Sequence, residues 1–257
     1  MTGQIVVEVC IDSVASAVAA ERGGAQRIEL CSGLVDGGIT PSVGLMEAVR
    51  ARVSIALHVM IRPRGGDFYY DKDEFNIVRR DIETVKRLGA DGVVVGLLAA
   101  DGDIDIARTR HLVELAHPLQ VTFHRAFDMS RDLFRALEDI CATGADRILT
   151  SGGQQTCIEG AEMIARLVRA AGNRIGIMAG SGIKPGNARM LVERTCVKEV
   201  HVGLRSSVSS PMRYRNPKIS LGSTEGREYQ KFVVLEDSVR QLCTAVSRDK
   251  GREDHLT

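Results

Sequence analysis

The first half of the chain carries four stretches in which aliphatic and reactive side chains alternate residue by residue. In Val6-Val7-Glu8-Val9-Cys10-Ile11-Asp12, a period of two sends Val7, Val9 and Ile11 to one face and Glu8, Cys10 and Asp12 to the other. Arg27-Ile28-Glu29-Leu30-Cys31 repeats the scheme. The run from Ile55 to Arg62 sets aliphatics against His58, Met60 and Arg62, and Val121-Thr122-Phe123-His124 sets Val121 and Phe123 against Thr122 and His124. One face suits packing on helices, and the other would converge acids, bases and thiols on a common interior.

A second pattern joins these stretches. Gly24-Ala25-Gln26-Arg27-Ile28 recurs as Gly89-Ala90-Asp91-Gly92-Val93 and as Gly144-Ala145-Asp146-Arg147-Ile148, each time between a helical pattern and a strand. This is a glycine helix stop followed by a short turn into β structure. Strands are expected near 5–10, 27–31, 55–61, 92–97, 120–124, 147–150, 175–179 and 199–203, with helices near 13–22, 41–51, 74–88, 104–116, 131–143, 157–171 and 184–194. Eight strands alternating with helices define a (β/α)8 barrel of the TIM type, a single domain. The barrel would occupy 1–205. Residues 206–257 would add a long loop over 206–231, one more helix from Val233 to Val246, and a frayed tail from Asp249 to Thr257, all packed on the same domain. In Gly37-Gly38-Ile39-Thr40-Pro41-Ser42, Thr40 is the expected N-cap and Pro41 the first helical residue.

Composition narrows the function. With 257 residues and 44% hydrophobic content, the chain can bury one large core. A net charge of +1 without blocks of Lys or Arg offers no electrostatic footprint for nucleic acid or an anionic membrane. No apolar run reaches the ~20 residues of a membrane span, and the first strand begins almost at Met1, so a cytoplasmic location without a signal peptide is expected. Six cysteines are too sparse for a disulfide scaffold and are expected to be thiols, available as soft metal ligands.

In such barrels chemistry sits at the C-terminal ends of the strands. That rule selects Glu8, Cys10 and Asp12, Glu29 and Cys31, His58, Met60 and Arg62, His124 with Asp128, and His201. Buried charges must neutralise one another or serve a ligand. A purely structural network of Arg27, Arg62, Glu8 and Glu29 would meet the first need, whereas two imidazoles, His124 and His201, favour a site. Cys10 and Cys31 each follow an inward Glu by two residues. On adjacent strands in register their Cα atoms would lie roughly 5 Å apart. Two thiolates with Met60 or His58 as auxiliaries would suit Cu(I), although buried cysteines also serve simply as small hydrophobes. No CxxC or HxxxH marks a zinc site. Arg62-Pro63-Arg64-Gly65-Gly66-Asp67-Phe68 reads as an anion-binding loop. Gly180-Ser181-Gly182 after the seventh strand and Gly203 after the eighth stand where barrel enzymes hold phosphate.

Taken together, Glu8-Val9-Cys10-Ile11-Asp12-Ser13, Glu29-Leu30-Cys31-Ser32, Gly37 to Ser42, Met60 to Phe68, Thr122 to Asp128 and Leu149-Thr150-Ser151-Gly152 resemble the CutC copper homeostasis family over nearly all of residues 5–205. The resemblance implies a TIM-type barrel, a homo-oligomeric cytoplasmic protein (a dimer or tetramer) and a link to copper tolerance and Cu(I), with Cys10 and Cys31 matching the cysteines proposed as ligands. Two functions are therefore in view. One is a Cu(I)-binding homeostasis protein. The other is an enzyme acting on a small anionic or phosphorylated metabolite, with Arg62, Arg64, Gly180, Ser181, Gly182 and Gly203 holding the anion and Glu8, Glu29, Arg62, His124 and Asp128 catalysing acid/base chemistry. A scaffold that binds a partner is a third reading, and no surface in the sequence singles it out.

Overall fold

The computed structural model describes residues 4–221 and 228–247. The strands β1 (Val6–Ile11), β2 (Arg27–Leu30), β3 (Ala56–Met60), β4 (Gly92–Val95), β5 (Gln120–Phe123), β6 (Arg147–Thr150), β7 (Gly176–Gly180) and β8 (Glu199–Val202) form a closed parallel barrel in sequence order, β8 pairing back onto β1. Between them run α1 (Val14–Arg22), α2 (Val43–Arg50), α3 (Lys72–Arg87), α4 (Ile106–Ala116), α5 (Leu133–Cys141), α6 (Ala161–Ala171) and α7 (Pro185–Thr195). The expected (β/α)8 fold is the one observed. Val7, Val9, Ile11, Ile28, Leu30, Leu57, Val59, Val121 and Phe123 all lie in the apolar layer between sheet and helices, while their alternate neighbours face the barrel axis.

The repeated Gly-Ala junctions do two jobs. Gly24, Gly89 and Gly144 take positive φ (95°, 72° and 85°), the left-handed turn that ends each helix. The residue two further on then reaches across the barrel rim: Gln26 Oε1 accepts from Val7 N at 2.8 Å, Asp91 Oδ2 from Leu57 N at 2.8 Å, and Asp146 Oδ2 from Val121 N at 2.7 Å. Each side chain satisfies a backbone donor at the start of the preceding strand.

Three local expectations are corrected. Cys10 does not stand opposite Cys31: the β1–β2 register pairs Cys10 with Glu29 and Ile11 with Leu30. Closing a barrel staggers its strands, and a two-residue offset keeps every side chain on its own face, so the alternation alone does not reveal it. The N-cap of α2 is Ser42, whose hydroxyl accepts from Leu45 N, whereas Thr40 bonds the backbone of Arg62. Residues 206–231 are not loop throughout. A strand β9 (Arg205–Ser209) pairs antiparallel with β10 (Gln230–Val234), so Val233 and Val234 belong to a strand and the last helix, α8, runs over Glu236–Val246. That helix packs against α7 and α1 and closes the outer ring. The expected tail from Asp249 to Thr257 lies outside the described residues.

Candidate metal and ligand site at the barrel mouth

The deepest polar layer is an ion network. Glu8, fully buried, accepts from Arg27, which also binds Glu199; Arg147 then bonds Glu199 at 3.1 Å, Thr122 at 3.2 Å and Gln120 at 3.0 Å. Of the network expected from the sequence, Glu8 and Arg27 are members and Arg62 is not. Glu199 and Arg147 were missed, although a signal existed, since Arg147 follows Gly-Ala-Asp where Arg27 follows Gly-Ala-Gln. His58 stands beside this layer, 3.9 Å from Glu8, and burial pushes its pKa down to about 4. It is a neutral core imidazole rather than a neighbour of the thiols. Gly92 makes room for it, because a Cβ there would come within 2.5 Å of the ring.

Above the network lies a compact cluster. His201 Nδ1 is 2.7 Å from Glu8 Oε1, and its Nε2 is 3.8 Å from Glu29 Oε2. The Sγ atoms of Cys10 and Cys31 are 3.8 Å apart, and Cys31 Sγ is 3.3 Å from Glu29 Oε2. The ligand atoms of Cys10, Glu29 and Cys31 all lie within 4.8 Å of one another, as do those of Glu8, Glu29 and His201. Met60 packs with Cys10, Cys31 and Val94 in a small apolar group.

The electrostatics of this cluster are asymmetric. Burial pushes Glu8 up, yet the His201 hydrogen bond and the Arg27 charge outweigh it and hold Glu8 well below the usual carboxylate range. Burial works against the His201 imidazolium, but Glu29, Cys10 and Glu8 raise its pKa well above the ordinary value. The Cys31 hydrogen bond, with His201 opposing the penalty of burial, brings Cys10 down to about 5, while the same bond and burial push Cys31 well up. Burial also lifts Glu29 far above its usual range. The cluster therefore favours the thiolate at Cys10 and the thiol at Cys31, with the Glu29 carboxyl beside them made a stronger base than a free carboxylate.

Cys10, Glu29, Met60 and His201 form part of the wall of a cavity of about 530 Å³ at the C-terminal mouth, together with Arg62, Phe68, His124, Arg125 and Asp128. The other candidate residues divide around it. Asp128 is engaged structurally: it accepts from Thr150 Oγ1, Ser151 N and Oγ and Gly153 N, and pairs with Arg125 at 2.7 Å. Arg64 turns away to Glu74 and Asp67. Ser181, Gly182 and Gly203 line a smaller recess of about 250 Å³ that shares Cys10, Gly37, Arg125 and His201 with the main cavity, but the Ser181 hydroxyl donates to Gln155 O at 2.8 Å. Gly180 is a close-packing position, where a Cβ would meet Leu149 at 2.6 Å. Asp12 sits at the rim, 4.0 Å from Arg205. Gly96 was invisible from the sequence: a Cβ there would fall 2.3 Å from the His124 ring.

The class of protein is thus a closed (β/α)8 barrel with a pair of thiols under an open cavity at its C-terminal mouth. Residues 5–206 match the CutC family. The chain is 47% identical over 243 residues to the CutC family protein of Chromobacterium violaceum, covering 95% of this chain and 98% of that one. It is 46% identical over 237 residues to the human copper homeostasis protein cutC homolog, covering 92% and 87%. Among solved structures, CutC of Streptococcus agalactiae superposes with a TM-score of 0.73 at 33% identity, covering 77% of this chain and 98% of that one. This chain belongs to the CutC family.

Proposed function

We propose that the protein binds Cu(I) as its cargo between Cys10 and Cys31, in the service of copper homeostasis. The observation that carries this reading is the 3.8 Å separation of two free thiols at the barrel mouth. Sulfur donors are soft and select Cu(I) over the harder divalent ions. Cys10 favours the thiolate, and the Glu29 carboxylate beside Cys31, with its basicity raised by burial, can accept the proton that binding displaces from that thiol. Met60 adds a soft neighbour; His58, one layer deeper, does not belong to this set. The names of the human and mouse relatives support the copper assignment. All six cysteines are free, which suits a reducing cytoplasm, and no helix among the described residues is long and apolar enough to cross a membrane. The homo-oligomeric assembly implied by the resemblance belongs to the same proposal.

An anaerobic Cu(I) titration of reduced protein against a chromophoric chelator tests it. One equivalent retained by the wild type and lost in a folded Cys10→Ser, Cys31→Ser variant is expected. Equal retention by both proteins would overturn the thiol site.

A further inference from the structure

The mouth cavity is far larger than one ion requires. Its 530 Å³ falls within the roughly 300–1,000 Å³ of small-molecule sites, at the end of the barrel where such sites form. One wall residue carries an unsolved electrostatic problem. Arg62 is 5% exposed, and among the described residues no carboxylate lies within ion-pair distance of it. Its Nη1 donates to the carbonyls of Asp36 at 2.7 Å and Gly38 at 3.0 Å, and its Nη2 to that of Gly66 at 2.7 Å; Nε has no partner. Three carbonyls orient the guanidinium, but they carry no net charge to cancel its own. A buried charge without a counter-ion is costly, and the open side of this one is a cavity.

His124 supplies the second observation. Its Nδ1 accepts from Ala126 N at 3.1 Å, which places the proton of the neutral ring on Nε2. Nε2 is buried and has no partner. Burial, reinforced by the Arg62 charge, pushes the imidazole down to about 3, so it offers a donor and no charge. The two groups share one aromatic neighbour: the Arg62 guanidinium lies 4.9 Å from the Phe68 ring centre, and the His124 ring lies 5.0 Å from it.

We propose that the cavity binds a small organic acid, whose carboxylate becomes the counter-ion of Arg62 and accepts the Nε2–H of His124, with the half-buried Phe68 side chain giving way to admit it. One uncompensated positive charge matches one negative charge. Phosphate, a mixture of mono- and dianion at neutral pH, would in part overfill it and bring more negative charge against Asp36 and Asp67 on the same wall. The site needs no metal, so its fate is separate from that of the thiol pair.

The test uses metal-free full-length protein titrated calorimetrically with acetate, lactate and pyruvate, and in parallel with phosphate, while the His124 imidazole ¹⁵N resonances are followed by NMR. Saturable binding of at least one carboxylate, with a matching shift of His124 Nε2, is expected. His124→Phe and Arg62→Met should each weaken it about tenfold or more, the usual consequence of losing a hydrogen bond to a charged group. Arg174→Gln should leave it unchanged, since Arg174 pairs with the exposed Glu138 and neither residue lines the cavity. Should Arg62→Met fail to fold, His124→Phe and the resonance shift still decide. No saturable binding of any of the three acids, binding that ignores His124→Phe, or binding of phosphate alone would overturn the proposal.

Discussion

Replacing Glu8 by Gln removes one charge from the centre of the barrel and little volume. The side chain is fully buried, accepts from Arg27, meets His201 Nδ1 at 2.7 Å and stands 3.9 Å from His58. Removing one partner of a buried ion pair costs about 3–5 kcal/mol. Because Arg27 keeps Glu199, the lower end applies, about 3 kcal/mol. For a chain of this length that corresponds to a fall in Tm of roughly 6–12 °C. The pH dependence has a definite sign. The folded pKa of Glu8 is depressed below its ordinary 4.5, so its charge stabilises the fold above that value, and the contribution is lost as pH falls through the folded pKa. Calorimetric scans of wild type and Glu8→Gln should therefore show a wide gap at pH 7 that narrows progressively below about pH 4.5. A gap under about 2 °C at pH 7, or one unchanged at pH 3 in protein that is still folded, would refute the reasoning.

Other consequences are equally direct. Iodoacetamide at pH 6 should alkylate Cys10 faster in the wild type than in His201→Gln, because the imidazole lowers the thiol, while Cys31 stays protected by burial and a raised pKa; peptide mass spectrometry showing equal Cys10 rates would count against the pair. Gly96→Ala and Gly92→Ala force a methyl to within 2.3 Å of His124 and 2.5 Å of His58. Each should cost about 1–3 kcal/mol or more by overpacking, and an unchanged Tm would show that the rings are free to move. Asp128→Asn should loosen the loop after β6, read as faster amide exchange at residues 150–154, since Asp128 accepts from Ser151 N and Gly153 N.

The barrel was legible because its information is local. Period-two alternation fixes which face of each strand is buried, and the Gly-Ala junctions mark where helices stop. The stagger between strands is not local: Cys10 against Glu29 rather than Cys31 follows from closing the ring, and either register buries the same aliphatics. The two thiols nevertheless come together, since inward side chains of neighbouring strands converge on the axis. Arg62 and Arg64 looked equivalent in the sequence, yet one lines the cavity and the other finds Glu74 on α3, a partner set by the path of the intervening loop. Asp128 was expected among the acid/base residues, and its contacts with Thr150, Ser151 and Gly153 make it a clasp between two loops. The β9–β10 pair escaped notice because Arg205–Ser209 shows no alternation of polar and apolar residues and is largely exposed.

In the proposed function Cys10 and Cys31 together hold copper. X-ray absorption at the copper edge of protein loaded anaerobically with one equivalent of Cu(I) examines the bound atoms themselves. Two sulfur scatterers in the wild type, reduced to at most one in Cys31→Ser, are the expected result. A first shell of nitrogen and oxygen alone, or a spectrum unchanged by the substitution, would contradict the account.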